Sequence, residues 1–440
     1  MKDRFTSSGP QLPLVDRQCQ PQTIHDRALF EDLKGEYDFR IPALIYVKEG
    51  KTFLAFAEKR TVKNGKSNDE NAKNLVMRKG TRQADGSLQW SDCKDLMEAT
   101  KHGYRTMSPC PVYERNTNTL FLFFICIEGE IKEADLTPGQ TRLCYVITRD
   151  RGETWSLLTD LTDKVNGINL LDYKTFAVGP GHGIAVERGK NGMRLLIPAY
   201  VKSTSTKVQP DHALVLYSDD EGQTWQAGKT LFEECGECQV AEVRVTEGTE
   251  GTKLYCSART WGKGMEEVPR LEALSEVTSV DFTKLKSLTL KETPHGCQGS
   301  VLGFPASELH PGDKGTMLLF SHPTKGPEEG ENGWTRRDLG VRLRESLQGA
   351  WGEPYIIHQG KGGYSDLCED GAHFACLMEC GEFPRQRIIF QEFPLSDIPK
   401  PAQLDRHDPV PNPSDPVPNP SDPAPNPSDP AGRCPYCLLI

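Results

Sequence analysis

From residue 1 to residue 400 the chain alternates short apolar stretches with clusters of Gly, Pro, Asn and Asp. Segments 43–47, 52–57, 119–127, 195–200, 213–217 and 387–392 are clear examples. Turn-forming residues return roughly every 8–12 positions, the spacing of short strands joined by tight turns. No segment sustains a 3.6-residue period long enough to compete as a helix. The pattern predicts an all-β domain.

Two stretches of this domain repeat each other. TRDRGETW at 148–155 and SDDEGQTW at 218–225 share the pattern Ser/Thr-x-Asp-x-Gly-x-Thr-Trp, aligning Asp150 with Asp220 and Trp155 with Trp225. In a tight hairpin the Asp carboxylate accepts from turn amides, and Gly supplies the positive-φ position. Thr and Trp then open the next strand, with the indole packed under the turn. The offset implies a β unit of about 70 residues, too large for a WD-type repeat. Roughly six such units fit the domain, hence a six-bladed β-propeller. Residues 274–282 (LSEVTSVDF) and the Trp351 region read as degenerate copies.

Composition narrows the partners. A hydrophobic fraction of 36% with 26% charge describes a soluble globular protein, and 440 residues suffice for one very large domain. No apolar run is long enough for a transmembrane helix, and MKDRFTSSGP lacks the apolar core of a secretory signal. The 14 cysteines are irregularly spaced and often sit in apolar runs, as do Cys126 and Cys256. They read as reduced, buried thiols of a cytosolic protein. Cys235 and Cys238 have metal-ligand spacing, but no second pair answers them, so neither metal nor other cofactor is expected. A net charge of −10 argues against nucleic acid. It also disfavours an anionic substrate unless the site itself gathers arginines.

Three arginines suggest such a site. Arg40 lies in FRIPAL, Arg259 in LYCSARTW and Arg336 in WTRRDLG, each beside an apolar strand. One such arginine would simply reach solvent from a strand edge. Three at strand ends can converge on a propeller axis and form a deep cationic pocket suited to a carboxylate.

FRIP, the repeated Asp–Gly turns, VGPGHG at 178–183, ECQVAEV at 237–243, GCQGS at 296–300, RDLG at 337–340 and YSDL at 364–367 follow in order. Together they resemble a vertebrate exo-α-sialidase over residues 20–395, of the cytosolic or plasma-membrane (ganglioside) kind and not the lysosomal kind. In that family the repeated turns are the Asp boxes of the propeller blades. The resemblance implies that Arg40, Arg259 and Arg336 hold the sialic acid carboxylate. It implies Tyr364 as nucleophile, Glu242 as its base and Asp69 as general acid/base. Arg60 and Met107 then line the O4 and N-acetyl region, and Glu58, Glu133, Tyr200 and Gln298 fill further pocket positions. His182 reads as a structural turn residue.

These residue types suit the chemistry. The anomeric carbon of sialic acid carries its own carboxylate, so a carboxylate nucleophile would approach against like charge; a neutral phenol avoids this. A tyrosine of ordinary pKa near 10 needs a base and nearby cations to react at neutral pH. The expected reaction is hydrolysis of terminal sialic acids from gangliosides, glycoproteins and oligosaccharides, with retention through a tyrosyl intermediate. The rival is a non-catalytic sialoglycan-binding propeller, a lectin or scaffold. Trans-sialylation is disfavoured by Lys202, where cytosolic relatives carry an aromatic two residues after the tyrosine of PAY. The loop between Arg60 and Asp69 also looks longer than theirs.

The chain divides into a propeller at 1–400, a linker at 401–433 and a lipidation motif at 434–440. The linker repeats PVPNPSD, PVPNPSD, PAPNPSD, whose prolines forbid sheet and helix and favour an extended, solvated spacer. Cys437-Leu-Leu-Ile440 fits a prenylation signal of the geranylgeranyl type, with Cys434 available for palmitoylation. This predicts peripheral association with the cytoplasmic face of a plasma or internal membrane, or residence in the cytosol as well.

Overall fold

The computed structural model describes residues 27–401, except 33, 205–210, 230–231, 247–250, 262–267, 286–289, 332 and 383–385. The Pro-rich repeat and its cysteines therefore lie outside the described residues. Strands dominate, and the helical segments are three-residue 3-10 turns. All six apolar stretches named from the sequence fall within strands.

The strands group into six blades, antiparallel except where Val165–Asn166 pairs in parallel with Trp225–Ala227 in the third. The first contains Tyr37–Val47, Thr52–Thr61, Ala72–Arg82 and Leu88–Trp90, and the second Tyr104–Glu114, Thr119–Glu128, Thr141–Thr148 and Thr159–Asp160. In the third, Thr175–Val178 and Ile184–Glu187 together form the inner strand beside Met193–Lys202, Asp211–Ser218 and Trp225–Ala227. Cys235–Val245, Gly251–Thr260, Leu271–Glu276 and Thr283–Lys284 make the fourth. The fifth and sixth share one long strand, Tyr355–Glu369. Its first part pairs with Arg337–Arg344 and its last part with Phe374–Cys380. The ring closes when Arg27–Phe30 pairs with Arg387–Phe393, so the start of the described chain completes the last blade.

Blade packing explains the apolar runs. Along Thr119–Glu128, Phe121, Phe123, Ile125 and Ile127 pack toward the third blade. Leu120, Leu122, Phe124 and Cys126 pack toward the first. A strand buried on both faces loses its polar alternation, as FLFFICI does. Each of the six blade junctions has its own apolar cluster, which fixes the count at six. A seventh, small cluster of Ile41, Cys297 and Tyr364 joins residues from three of the blades.

The two Asp boxes fold alike. Gly152 N and Gly222 N donate to the Thr148 and Ser218 hydroxyls, at 3.0 and 2.9 Å. Thr154 N and Thr224 N donate to Asp150 and Asp220, at 3.0 and 2.8 Å. The indoles then reach back to the preceding blade. Trp155 meets Phe56 at 6.1 Å and Trp225 meets Phe123 at 4.8 Å, both edge to face. The degenerate copies keep this contact without the box: Phe282 meets Phe232 and Trp351 meets Tyr255. Trp90, at the end of a short outer strand the repeat pattern did not single out, meets Phe390 in the same manner. The boxes differ on their C-terminal side: Trp225 opens a strand, whereas the next strand after Trp155 begins at Thr159.

Gly222 has φ of 86°, and a Cβ there would lie 2.3 Å from the Phe121 ring. Gly86 has φ of 83° with open space around it. Gly86→Ala should cost about 1–2 kcal/mol of backbone strain, and Gly222→Ala about 1–3 kcal/mol more through overlap. Thermal unfolding of the two variants beside the wild type checks the order; equal losses would show that the contact with Phe121 is immaterial.

Candidate active site

Four inner strands carry the same irregularity. The register skips from Arg40 to Ala43 in the first blade and from Met107 to Cys110 in the second. It does so again from Cys235 to Cys238 in the fourth and from Gly362 to Ser365 in the sixth. Each time three steps on the inner strand oppose two on its neighbour. Such a one-residue bulge bends the strand and re-aims its side chains. Ile41 and Ser108 sit in these bulges at φ of 57°, an uncommon conformation for β-branched Ile41 in particular. Pro42 and Pro109 come directly after them, just as bulges tolerate. Residues at or beside all four bulges, Arg40, Met107, Glu237 and Tyr364, line one cavity of about 600 Å³.

One wall of this cavity is cationic and phenolic. Tyr364, 8% exposed, donates its hydroxyl hydrogen to Glu237 Oε1, and Arg259 Nη1 lies 3.1 Å from the same hydroxyl oxygen. Arg259 Nη1 also donates to Glu237 Oε2 at 2.7 Å. The guanidinium carbons of Arg40 and Arg336 stand 6.0 and 5.8 Å from the Tyr364 ring centre. Burial and the Glu237 carboxylate push the phenol well above its usual pKa, against the pull of Arg259 and Arg336. It is therefore protonated at neutral pH.

Beneath this wall, Glu379 is fully buried and accepts from Arg40 Nε at 2.8 Å, Ile41 N at 2.8 Å and Tyr364 N at 3.1 Å. Burial opposes its ionisation, yet Arg40 and these donors hold it below the usual carboxylate range. The second wall holds Glu58, Arg60 and Asp69. Arg60 donates to Glu58 Oε2 from Nε at 2.9 Å and from Nη2 at 2.6 Å, while Nη1 pairs with Asp69 at 2.8 Å. Arg60 keeps the half-exposed Asp69 carboxyl below its ordinary pKa. The polar stretch around it, legible only as a loop, contains a 3-10 turn, Asp69–Asn71, bracketed by side-chain to backbone bonds of Asn68 and Asn71. Met107, Tyr200, Glu133 and Lys202 complete this side, with Lys202 paired to Glu133 at 3.2 Å.

Most predicted residues thus share the cavity: the three arginines, Tyr364, Asp69, Arg60, Met107, Glu58, Glu133 and Tyr200. Two do not. Glu242 lies four residues past the bulge of Cys235–Val245, exposed and lining a different depression with Glu187 and Arg244. The carboxylate at Tyr364 belongs to Glu237, inside the bulge. Gln298 is 1% exposed and sits outside the cavity lining; its amide donates to Pro180 O and Ser365 O and accepts from Ser365 N. His182 is no simple turn residue, because its Nδ1 lies 2.7 Å from buried Asp366. The Cys235/Cys238 spacing reflects the bulge, and both thiols donate to backbone carbonyls.

Sequence reasoning missed Glu237, Arg105, Trp261 and Trp334 as lining residues. Arg105 spends its Nη1 and Nη2 on the carbonyls of Gly129 and Ile131. For Glu237 a signal existed: Cys235-Gly236-Glu237 stands ahead of its apolar run as Arg40-Ile41-Pro42, Met107-Ser108-Pro109 and Gly362-Gly363-Tyr364 stand ahead of theirs.

Known proteins agree with this geometry. A family model described as a BNR repeat-like domain matches residues 51–376. Sialidase-3 of Homo sapiens is 40% identical over 432 residues, covering 87% of this chain and 95% of that protein. The chain belongs to the sialidase family. Sialidase-2 of Mus musculus is 38% identical over 379 residues, covering 82% of this chain and 93% of its own. Among solved structures, the Hadza microbial sialidase Hz136 shares the fold with a TM-score of 0.64 at 20% identity, over 82% of this chain and 66% of that one. The activity is accordingly exo-sialidase hydrolysis of terminal sialic acids, and its substrates are sialylated.

If the carboxylate that touches Tyr364 is the working one, Glu237→Gln should lower kcat by roughly 100-fold or more, while Glu242→Gln stays near wild type. Steady-state hydrolysis of a fluorogenic α-sialoside by both variants checks this. A large loss confined to Glu242→Gln would overturn the placement.

Proposed function

We propose that this sialidase works with retention through a covalent tyrosyl intermediate on Tyr364. The contact of its hydroxyl with Glu237 and Arg259 carries the reading. Glu237 takes the phenolic proton as the oxygen attacks the anomeric carbon, and Arg259 and Arg336 favour the developing phenolate. Arg40, Arg259 and Arg336 hold the substrate carboxylate beside it. Asp69 protonates the departing oxygen and then activates water. Arg60 and Arg40 both favour ionised Asp69. A bound carboxylate offsets the charge of Arg40, which eases protonation of Asp69 once substrate is present. Glu58 fixes Arg60, and Met107, Glu133, Tyr200 and Lys202 face the rest of the sugar.

Hydrolysis of a fluorogenic α-sialoside by the wild type beside Tyr364→Phe tests this, with a slow mechanism-based sialoside used to label the protein. Wild-type turnover and label on Tyr364, both lost in the variant, are expected. A wild type that binds sialic acid without turnover would favour the non-catalytic reading, and label on another residue would remove Tyr364 as nucleophile.

Gangliosides, glycoproteins and oligosaccharides are the proposed carriers of the sialic acid. The tail motif supports tethering through Cys437, with Cys434 as a second lipid site, to the cytoplasmic face of a membrane. Full-length protein expressed in cultured cells should sediment with membranes, and Cys437→Ser should shift it to the soluble fraction. An unchanged distribution would dismiss the anchor.

A further inference from the structure

Behind the arginine wall lies a buried charged group that does not line the cavity. Arg270 and Glu292 are 2% and 1% exposed, and His322 is 7% exposed. Arg270 Nη1 donates to Glu292 Oε1 at 2.7 Å, and His322 Nε2 lies 2.9 Å from Glu292 Oε2. Arg270 Nε donates to Ser257 Oγ at 2.7 Å. Burying such charges gives little net stability, since desolvation cancels much of their attraction. None of the three takes part in the steps of sialoside cleavage.

Their remaining hydrogen bonds converge on one turn. Cys297 N donates to Glu292 Oε2 at 3.1 Å, and Arg270 Nη1 donates to Cys297 O at 2.8 Å. Thr260 N, next to Arg259 in the chain, donates to Glu292 Oε1 at 3.3 Å. Between Glu292 and Cys297 the chain turns through Thr293-Pro294-His295-Gly296, closed by Gly296 N to Thr293 O at 2.7 Å. His295 and Gly296 have φ of 62° and 63°. Pro at the second position and positive φ at the third describe a type II turn, here with a histidine where glycine is favoured. An outward-held pair of carbonyls results. His295 O accepts from Arg259 Nη2 at 2.9 Å; Gly296 O accepts from Arg336 Nε at 3.0 Å and Nη2 at 2.7 Å.

We propose that Glu292, Arg270 and His322 are positioning residues: they fix the His295–Gly296 turn, whose two carbonyls aim Arg259 and Arg336 at the substrate carboxylate. The proposal rests on the reading of these arginines as a carboxylate clamp. Arg40 is held separately, by Glu379, and Arg259 is held by Glu237 as well as by the turn. The turn also admits no side chain at Gly296, where a Cβ would lie 2.2 Å from Thr260 O and 3.1 Å from Arg259 Cγ. A shift of the carbonyls by even an ångström would misalign both guanidinium groups, and misplacement of that size costs up to about 100-fold.

The test uses the full-length protein and two inhibitors: sialic acid, and the analogue whose carboxylate is reduced to an alcohol. The ratio of their inhibition constants measures the clamp, and loss of fold alone does not move it. Glu292→Gln and the apolar triple variant Arg270→Met/Glu292→Leu/His322→Phe are compared with wild type at a temperature where each is folded by circular dichroism. Apolar replacement of buried ion pairs often preserves folding. Should the triple variant fail to fold, Gly296→Ala displaces the turn and leaves the cluster in place. The preference for the acid should fall roughly 10- to 100-fold in these variants, with KM rising alongside. A folded variant that keeps the wild-type ratio overturns the proposal. Arg336→Lys serves as the control for the clamp: if it too keeps the ratio, the clamp reading is what fails.

Discussion

The site depends on one extra residue placed four times. A propeller strand packed on both faces has no freedom to aim a side chain at the axis, because alternate residues are committed to the two neighbouring blades. The bulges at Arg40–Ala43, Met107–Cys110, Cys235–Cys238 and Gly362–Ser365 break that commitment at one level of the ring. Each frees one or two residues while the apolar register resumes beyond it. Strain at Ile41 and Ser108 is the local cost, and the surrounding sheets hold it in place. Arg40, Glu237 and Tyr364 come from three different blades, yet they meet because those blades bulge at the same level.

Below the bulges, polar groups tie the blades into a ring that keeps this level aligned. Asp366 accepts from Leu44 N and Ser300 Oγ at 2.8 Å each and pairs with His182, which links four blades through one carboxylate. Asp366 Oδ1 serves two of these partners and Oδ2 the third, so loss of the carboxylate would orphan several buried groups at once. Gln298 belongs to this layer and not to the cavity. Its amide joins Pro180 O to the backbone on either side of Ser365, directly after Tyr364. Tyr364 is therefore set by the packing of the whole ring.

This division of labour explains what the sequence could reveal. Strand runs and two Asp boxes were legible because burial on two faces writes unbroken apolar segments and fixed turns, and the spacing of the boxes set the six-unit count. The arginines, Tyr364 and Asp69 were legible because charge and phenol are costly beside such segments and the ordered motifs matched a family. Glu242 misled for the same reason: it stands inside the apolar run ECQVAEV, where a carboxylate looks purposeful. That position faces outward near the far end of its strand, whereas Glu237 occupies the bulge at the near end. A one-residue bulge changes which residue faces the axis without changing composition or period. Trp261, Trp334 and Arg105 were hidden differently, since they reach the cavity from second strands, loops or distant registers.

The Asp boxes illustrate the limit from the structural side. The side-chain hydrogen bonds of Asp150 and Asp220 stay within their turns, and the box tryptophans pack on the preceding blade. Blades that lost the box kept the aromatic contact through Phe282, Trp351 and Trp90. The contact that recurs between these blades is the aromatic seam, and the Asp–Gly turn is one way of presenting it. Sequence identity in the box can therefore decay while the seam persists, which is why only two of six repeats were visible. The same logic applies at the axis. There the requirement is a bulge and a charge at one level, and neighbouring glutamates in ECQVAE satisfy the eye equally until the register separates them.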